Sequence, residues 1–246
     1  MMGEYIAAHG SALMVVFIAS FLQAITGFGL VMIMAPLLMM LYEPKFAVIL
    51  VILIASFGNL SQAVVLRKET AFHMILWLFV GSLAGQPLGH LFYRSFPSEF
   101  IRLWVNVIVL FSITAMLIAN WKVRQCRRNT LITGAIAGVT SVSAGIGGPP
   151  LLIYFASTDM TPAVLRATSI TFFAVCNVCV LISYAVTGVN VMPAFQEAVM
   201  LLPALLSGIG LGYVVFPHIP SRMFRKILFV VLYIVCSYSV YTTLIK

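Results

Sequence analysis

Polar residues are rare along this chain and cluster at intervals, leaving apolar runs between them. Six runs read as complete membrane crossings, approximately 46–66, 70–93, 100–121, 163–187, 195–217 and 224–245. A crossing needs about 20 helical residues for a hydrocarbon core of about 30 Å. Each run is read as a helix because backbone groups in lipid must be satisfied within the segment. Two apolar stretches, 5–42 and 129–158, break the pattern. The second is too long for one crossing and too short for two crossings of about 20 residues each. Both carry a Gly/Pro interruption near the middle, Gly27-Phe28-Gly29 in the first and Gly145-Ile146-Gly147-Gly148-Pro149-Pro150 in the second. The reading that fits is a pair of short half-helices, one entering to mid-membrane and one returning. Irregular backbone at that depth is tolerated only where protein buries it or water reaches it.

The interruptions are related. The shift that carries Gly27 onto Gly145 also carries Gly29 onto Gly147, Pro44 onto Pro162 and Asn59 onto Asn177. Further along, "LAGQPLGHLFYRSFPSEFIR" (83–102) lies over "LSGIGLGYVVFPHIPSRMFR" (206–225), repeating Leu83, Gly85, Leu88, Gly89, Pro97, Ser98 and Arg102. The expected fold is therefore an all-α integral membrane protein, a single transmembrane domain over 1–246. It is built from two repeats, about 1–125 and 126–246, each a broken hairpin followed by three transmembrane helices. An odd number of crossings per half inverts the second half relative to the first.

Composition agrees with a membrane protein: the chain is 62% hydrophobic and 8% charged, with a mean hydropathy of +1.11, against roughly 45–50% and about 25% in soluble domains. The net charge of +8 sits in short clusters at the ends of apolar runs, where it orients a membrane protein and gives no nucleic-acid surface. With hairpins that return to their side of entry, Arg67, Lys68, Lys122, Arg124, Arg127, Arg128, Arg166, Arg222, Arg225 and Lys226 share one side, and Lys45, Arg94, Arg102 and Lys246 the other. The positive-inside rule makes the first side cytoplasmic and both termini external. The first ten residues lack the basic start and cleavage site of a secretory signal, so the first segment is expected to remain.

The paired Gly-x-Gly motifs, each followed by an apolar run and a proline-led helix, resemble the TauE/SafE family of membrane permeases over about 15–245. "GIGGPPLL" is the most specific part; "GFGLVMIMAPLL" keeps Gly27, Gly29 and Pro36 and departs at Leu30. The resemblance implies a small-anion permease of a bacterial inner membrane, for sulfite or organosulfonates such as sulfoacetate.

The candidate site lies at the breaks. A helix N-terminus carries about half a positive charge and free N–H donors, so two of them meeting at mid-membrane would seat a sulfonate or sulfite without a full charge in lipid. Gly27, Phe28, Gly29, Gly145, Ile146, Gly147 and Gly148 would form the seat. A Cβ at Gly147 is expected to intrude where backbone meets ligand. The alternative is that the glycines merely permit close helix contact; their doubled occurrence at a break too short to span favours the site. Asn59 and Asn177 need partners for their amides and either bond the hairpin backbone or donate to the solute. Gln23, Thr26, Ser141 and Ser143 flank the turns as further donors. Arg166 matches Val48 and so is not dictated by the repeat; attracting anions at the cytoplasmic mouth is one role open to it.

Cys176 and Cys179 read as small packing residues one turn apart, and His73, His90 and His218 have no metal-ligand spacing. No cofactor is expected, and no catalytic constellation supports an enzyme. The acidic residues fall near loops or span ends, so no mid-membrane carboxylate is available for a cation. A secondary carrier for small anions working by alternating access is the leading reading. An anion channel and a membrane assembly protein are the alternatives.

Overall fold

Two prolines, Pro44 and Pro162, occupy first helical turns, where the missing N–H costs nothing and the fixed φ suits a helix. The residue before each one caps it: Glu43 accepts from Phe46 N at 2.8 Å and Thr161 Oγ1 from Val164 N at 3.4 Å. The computed structural model describes residues 2–26, 29–118, 124–156, 158, 160–215, 233–234, 236–241 and 243. Its helices are α1 Met2–Thr26, α2 Leu30–Leu41, α3 Pro44–Leu66, α4 Phe72–Ser95, α5 Ser98–Ile118, α6 Arg127–Ala144, α7 Gly148–Ala156, α8 Pro162–Val186 and α9 Met192–Val215, with a short 3-10 turn at Arg67–Glu69. Among the described residues, α3, α4, α5, α8 and α9 contain the stretches long and apolar enough to cross a membrane. They coincide with five of the six expected runs. The sixth, 224–245, falls largely outside the described residues, although 236–241 are helical.

Both interruptions are real breaks. Gly145 ends α6 in the left-handed region at φ 73°, with its N–H on Ser141 O at 3.0 Å. Gly29 precedes α2 at φ 109°. A residue with a Cβ resists such angles, which makes glycine the fitting choice at both. The arms, however, are unequal. The entering helices have 25 and 18 residues and the returning ones 12 and 9. At 1.5 Å per residue the entering arms exceed half a membrane, so the expectation of a pair of short half-helices needs correcting for the entering arm of each.

Each hairpin returns to the end it entered. Glu197 Oε1 accepts from Tyr42 Oη at 2.6 Å and lies 3.4 Å from His9 Nε2, joining the beginning of α1, the end of α2 and the beginning of α9. Thr130 Oγ1 and Tyr154 Oη, 2.7 Å apart, tie the beginning of α6 to the end of α7.

The longest packing seams pair a hairpin arm of one half with a long helix of the other: α6 along α4, and α1 along α9. Small residues bring the backbones together. A Cβ at Gly85 would overlap the Ala135 carbonyl, one at Gly138 the Ser82 carbonyl, and one at Gly212 would lie 2.8 Å from Phe21 O. Contacts rise together along α4 and α6, from Gly81 against Leu131 to Gly89 against Val139, so these helices are parallel. Beside α4, α8 also runs parallel. Ala71 N donates to Thr168 Oγ1 at 3.0 Å at one end, and His90 Nε2 meets Ser183 Oγ at 2.7 Å near the other. Completely buried Val48, Leu50, Val51 and Ile54 put α3 at the centre of the bundle. Cys176 is buried and free, its thiol reaching Ser82 Oγ at 3.5 Å, as a packing residue would be.

Candidate functional site

The two breaks meet. A pocket of about 30 Å³ is lined from the first half by Gln23, Gly29, Leu30, Val31, Met32 and Asn59, and from the second by Gly145, Ile146, Gly147, Gly148, Phe173 and Asn177. It has room for a water or two. None of these side chains carries a charge, so the local field comes from the starts of α2 and α7, each a helix N-terminus worth about half a positive charge.

The two N-termini differ in their donors. In α2 the N–H groups of Leu30, Val31 and Met32 precede the first bonded amide, Ile33 N on Gly29 O at 2.9 Å, and have no acceptor within their own helix. In α7 two of the first three residues are Pro149 and Pro150, which have no N–H to offer. Over their first three helical residues, α2 therefore carries three backbone N–H groups and α7 one, that of Gly148. Gly27 and Phe28 lie outside the described residues, as does the side chain of Thr26.

The asparagines part company in the same way. Asn59, 2% exposed, has its Oδ1 held by Gln23 Nε2 at 2.9 Å. Asn177 lines the pocket with no hydrogen-bond partner for its side chain among the described residues. At the sequence shift that carries Gly27 onto Gly145, the residue matching Gln23 is Ser141, whose side chain is shorter and has no amide. Ser141 does not line the pocket. Its hydroxyl fills the space that a Cβ on Gly147 would need, and Ala137 O would lie 3.2 Å from that Cβ. Gly147 thus serves close packing of the hairpin arms as well as the pocket wall. Ser143 is also buried away from the site and accepts from Trp104 Nε1 at 3.1 Å.

Sequence reasoning overlooked Phe173, and it placed helix N-terminal amides at the site without naming Leu30, Val31 and Met32. It also overlooked Gln62, whose Nε2 bonds Gln23 Oε1 at 3.3 Å and Gly58 O at 3.1 Å. Its signal was present: a third amide one turn beyond Asn59 in a charge-free span. Apolar wall residues and backbone donors carry no such mark.

Helices that cross a membrane many times, gathered round an uncharged pocket of backbone and side-chain amides, define a multi-pass membrane protein. The chain belongs to the sulfite exporter TauE/SafE family, whose model matches residues 12–239. The family is one of membrane transporters. No curated protein and no solved structure matches the chain.

Proposed function

We propose that the chain is a secondary carrier for small anions, among which sulfite and organosulfonates such as sulfoacetate are the leading candidates. The observation that carries this reading is the meeting of two helix N-termini, one from each half, at a pocket with no acidic residue. Such ends attract an anion and hydrogen-bond its oxygens while adding no full charge to the membrane. Three backbone donors from α2, an Asn177 amide with no partner among the described residues and the close backbone of Gly145–Gly148 suit a tetrahedral or pyramidal oxyanion. An organosulfonate would place its apolar part against Ile146 and Phe173.

The carrier works by alternating access. The seams α4–α6 and α1–α9 exchange when each element is replaced by its repeat counterpart, which supports two halves of inverted topology rocking about the pocket. The pocket is too small for a sulfonate in this conformation, so loading requires the halves to part. The end of the bundle that gathers Arg67, Lys68, Arg127, Arg128 and Arg166 is cytoplasmic by the positive-inside rule, in a bacterial inner membrane.

A thermal-shift screen of purified protein against sulfite, sulfoacetate, taurine and simple carboxylates tests the binding step. The anions are expected to raise Tm and zwitterionic taurine to do so less, because its ammonium opposes the helix ends. A series in which no anion shifts Tm, or taurine matches sulfoacetate, would count against the site.

A further inference from the structure

A hydrogen-bonded line of polar side chains leads out of the pocket toward the end of α3. Gln23, which holds Asn59 at 2.9 Å, accepts from Gln62 Nε2 at 3.3 Å, and Gln62 Oε1 accepts from Tyr213 Oη at 3.5 Å. The Arg166 guanidinium lies over the Tyr213 ring, 4.9 Å from its centroid, within cation–π range. Asn59 and Gln62 are each 2% exposed and Gln23 3%. Polar groups at such depth are costly unless paired, and intramembrane ones mark solute pathways.

In the opposite direction, among the described residues, buried polar side chains such as Gln86, His90 and Ser143 are present, but the described hydrogen bonds do not join them into a line from the pocket. Gly145 borders Val48 and Ile52 of α3. The repeat counterparts of Gln62 and Arg166 are Val180 and Val48, both fully buried. His90, the counterpart of Tyr213, turns to Ser183 instead. The two faces of one pseudo-symmetric pocket thus differ in chemistry.

We infer that Gln62, Tyr213 and Arg166 form a gated relay for the anion between the pocket and the end of the bundle where α3 finishes and α8 begins. This rests on the carrier reading above. Arg166 is the anion-attracting mouth, and the Tyr213 ring beneath it is the gate. Amides and a phenol both donate and accept, which lets each exchange its protein partner for an oxyanion and recover it afterwards.

The test uses the full chain in proteoliposomes, with labelled sulfite as probe, and compares wild type with Arg166→Gln, Arg166→Lys and Tyr213→Phe. Sulfite uptake at low concentration should fall about tenfold or more in Arg166→Gln, the size of effect electrostatic steering gives, and recover in part in Arg166→Lys. The sulfite-induced Tm shift at saturation should persist. Tyr213→Phe deletes one hydroxyl and should slow uptake with the Tm shift intact, so it carries the test if Arg166→Gln does not fold. Wild-type uptake in both variants overturns the relay. So does a parallel loss of uptake and of the Tm shift, which would make these residues part of the pocket wall. Absence of sulfite and sulfoacetate uptake by wild type is a separate result that removes the carrier reading itself.

Discussion

Gly147 and Gly148 are adjacent and chemically identical, yet a methyl group on each meets a different environment. At Gly148 the nearest atom to an added Cβ is Phe173 Cζ at 3.8 Å, ordinary contact, whereas at Gly147 the Cβ collides with Ser141 Oγ. Gly148→Ala should therefore lower sulfite affinity about tenfold, ~1.4 kcal/mol, with Tm close to wild type. Gly147→Ala should lose folded yield as well as binding. Equal Tm losses in both, measured beside isothermal titration of sulfite, would remove the distinction. For Asn177 the decisive change is to aspartate. A carboxylate facing the bound anion costs up to several kcal/mol, so Asn177→Asp should abolish sulfite binding while Asn177→Ala weakens it moderately; a variant series in which the two are equivalent would take Asn177 out of the site. The glycine motif and both asparagines were legible in the sequence because polar and conformationally special residues stand out against an apolar background. The packing duty of Gly147 was not, since it arises from a neighbouring arm whose position no local pattern encodes.

Among the elements, the seams between α4 and α6 and between α1 and α9 rest on glycines at i and i+4. Gly85→Ala would press a methyl into the Ala135 carbonyl. Overpacking typically costs about 1–3 kcal/mol, and the rigidity of a backbone neighbour argues for the upper part of that range. The expected outcome is a lower Tm in detergent with sulfite affinity retained by the fraction that folds; an unchanged Tm would mean that the helices separate more readily than their contact implies. The repeat of Gly85 and Gly89 at Gly208 and Gly212 was visible as sequence, and so was each break, from the simple mismatch of stretch length to membrane thickness. The inequality of the arms was hidden, because hydropathy is alike on both sides of a break and its position along the stretch decides their lengths.

The whole molecule makes one demand on its chemistry: an anion must pass a bundle in which the described pocket holds little more than a water or two. Charge segregation bears on the orientation. Arg127, stacked 5.3 Å from the centroid of Trp77, and Arg166 share the end at which α4 begins, while Lys45 and Arg94 sit at the other, where Tyr93 Oη bonds Lys45 O at 3.1 Å. That grouping was legible from parity and charge, since it needs only the count of crossings and not their packing. The polar line through Gln62 was not, because it joins residues far apart in sequence. The central claim, that this is a carrier for small anions, is tested most directly by counterflow in proteoliposomes: vesicles loaded with unlabelled sulfite and diluted into tracer sulfite. The account predicts transient accumulation of label above equilibrium, saturable in external sulfite and stimulated by internal sulfite. No uptake by folded protein, or uptake that rises linearly with concentration and ignores internal sulfite, would contradict it.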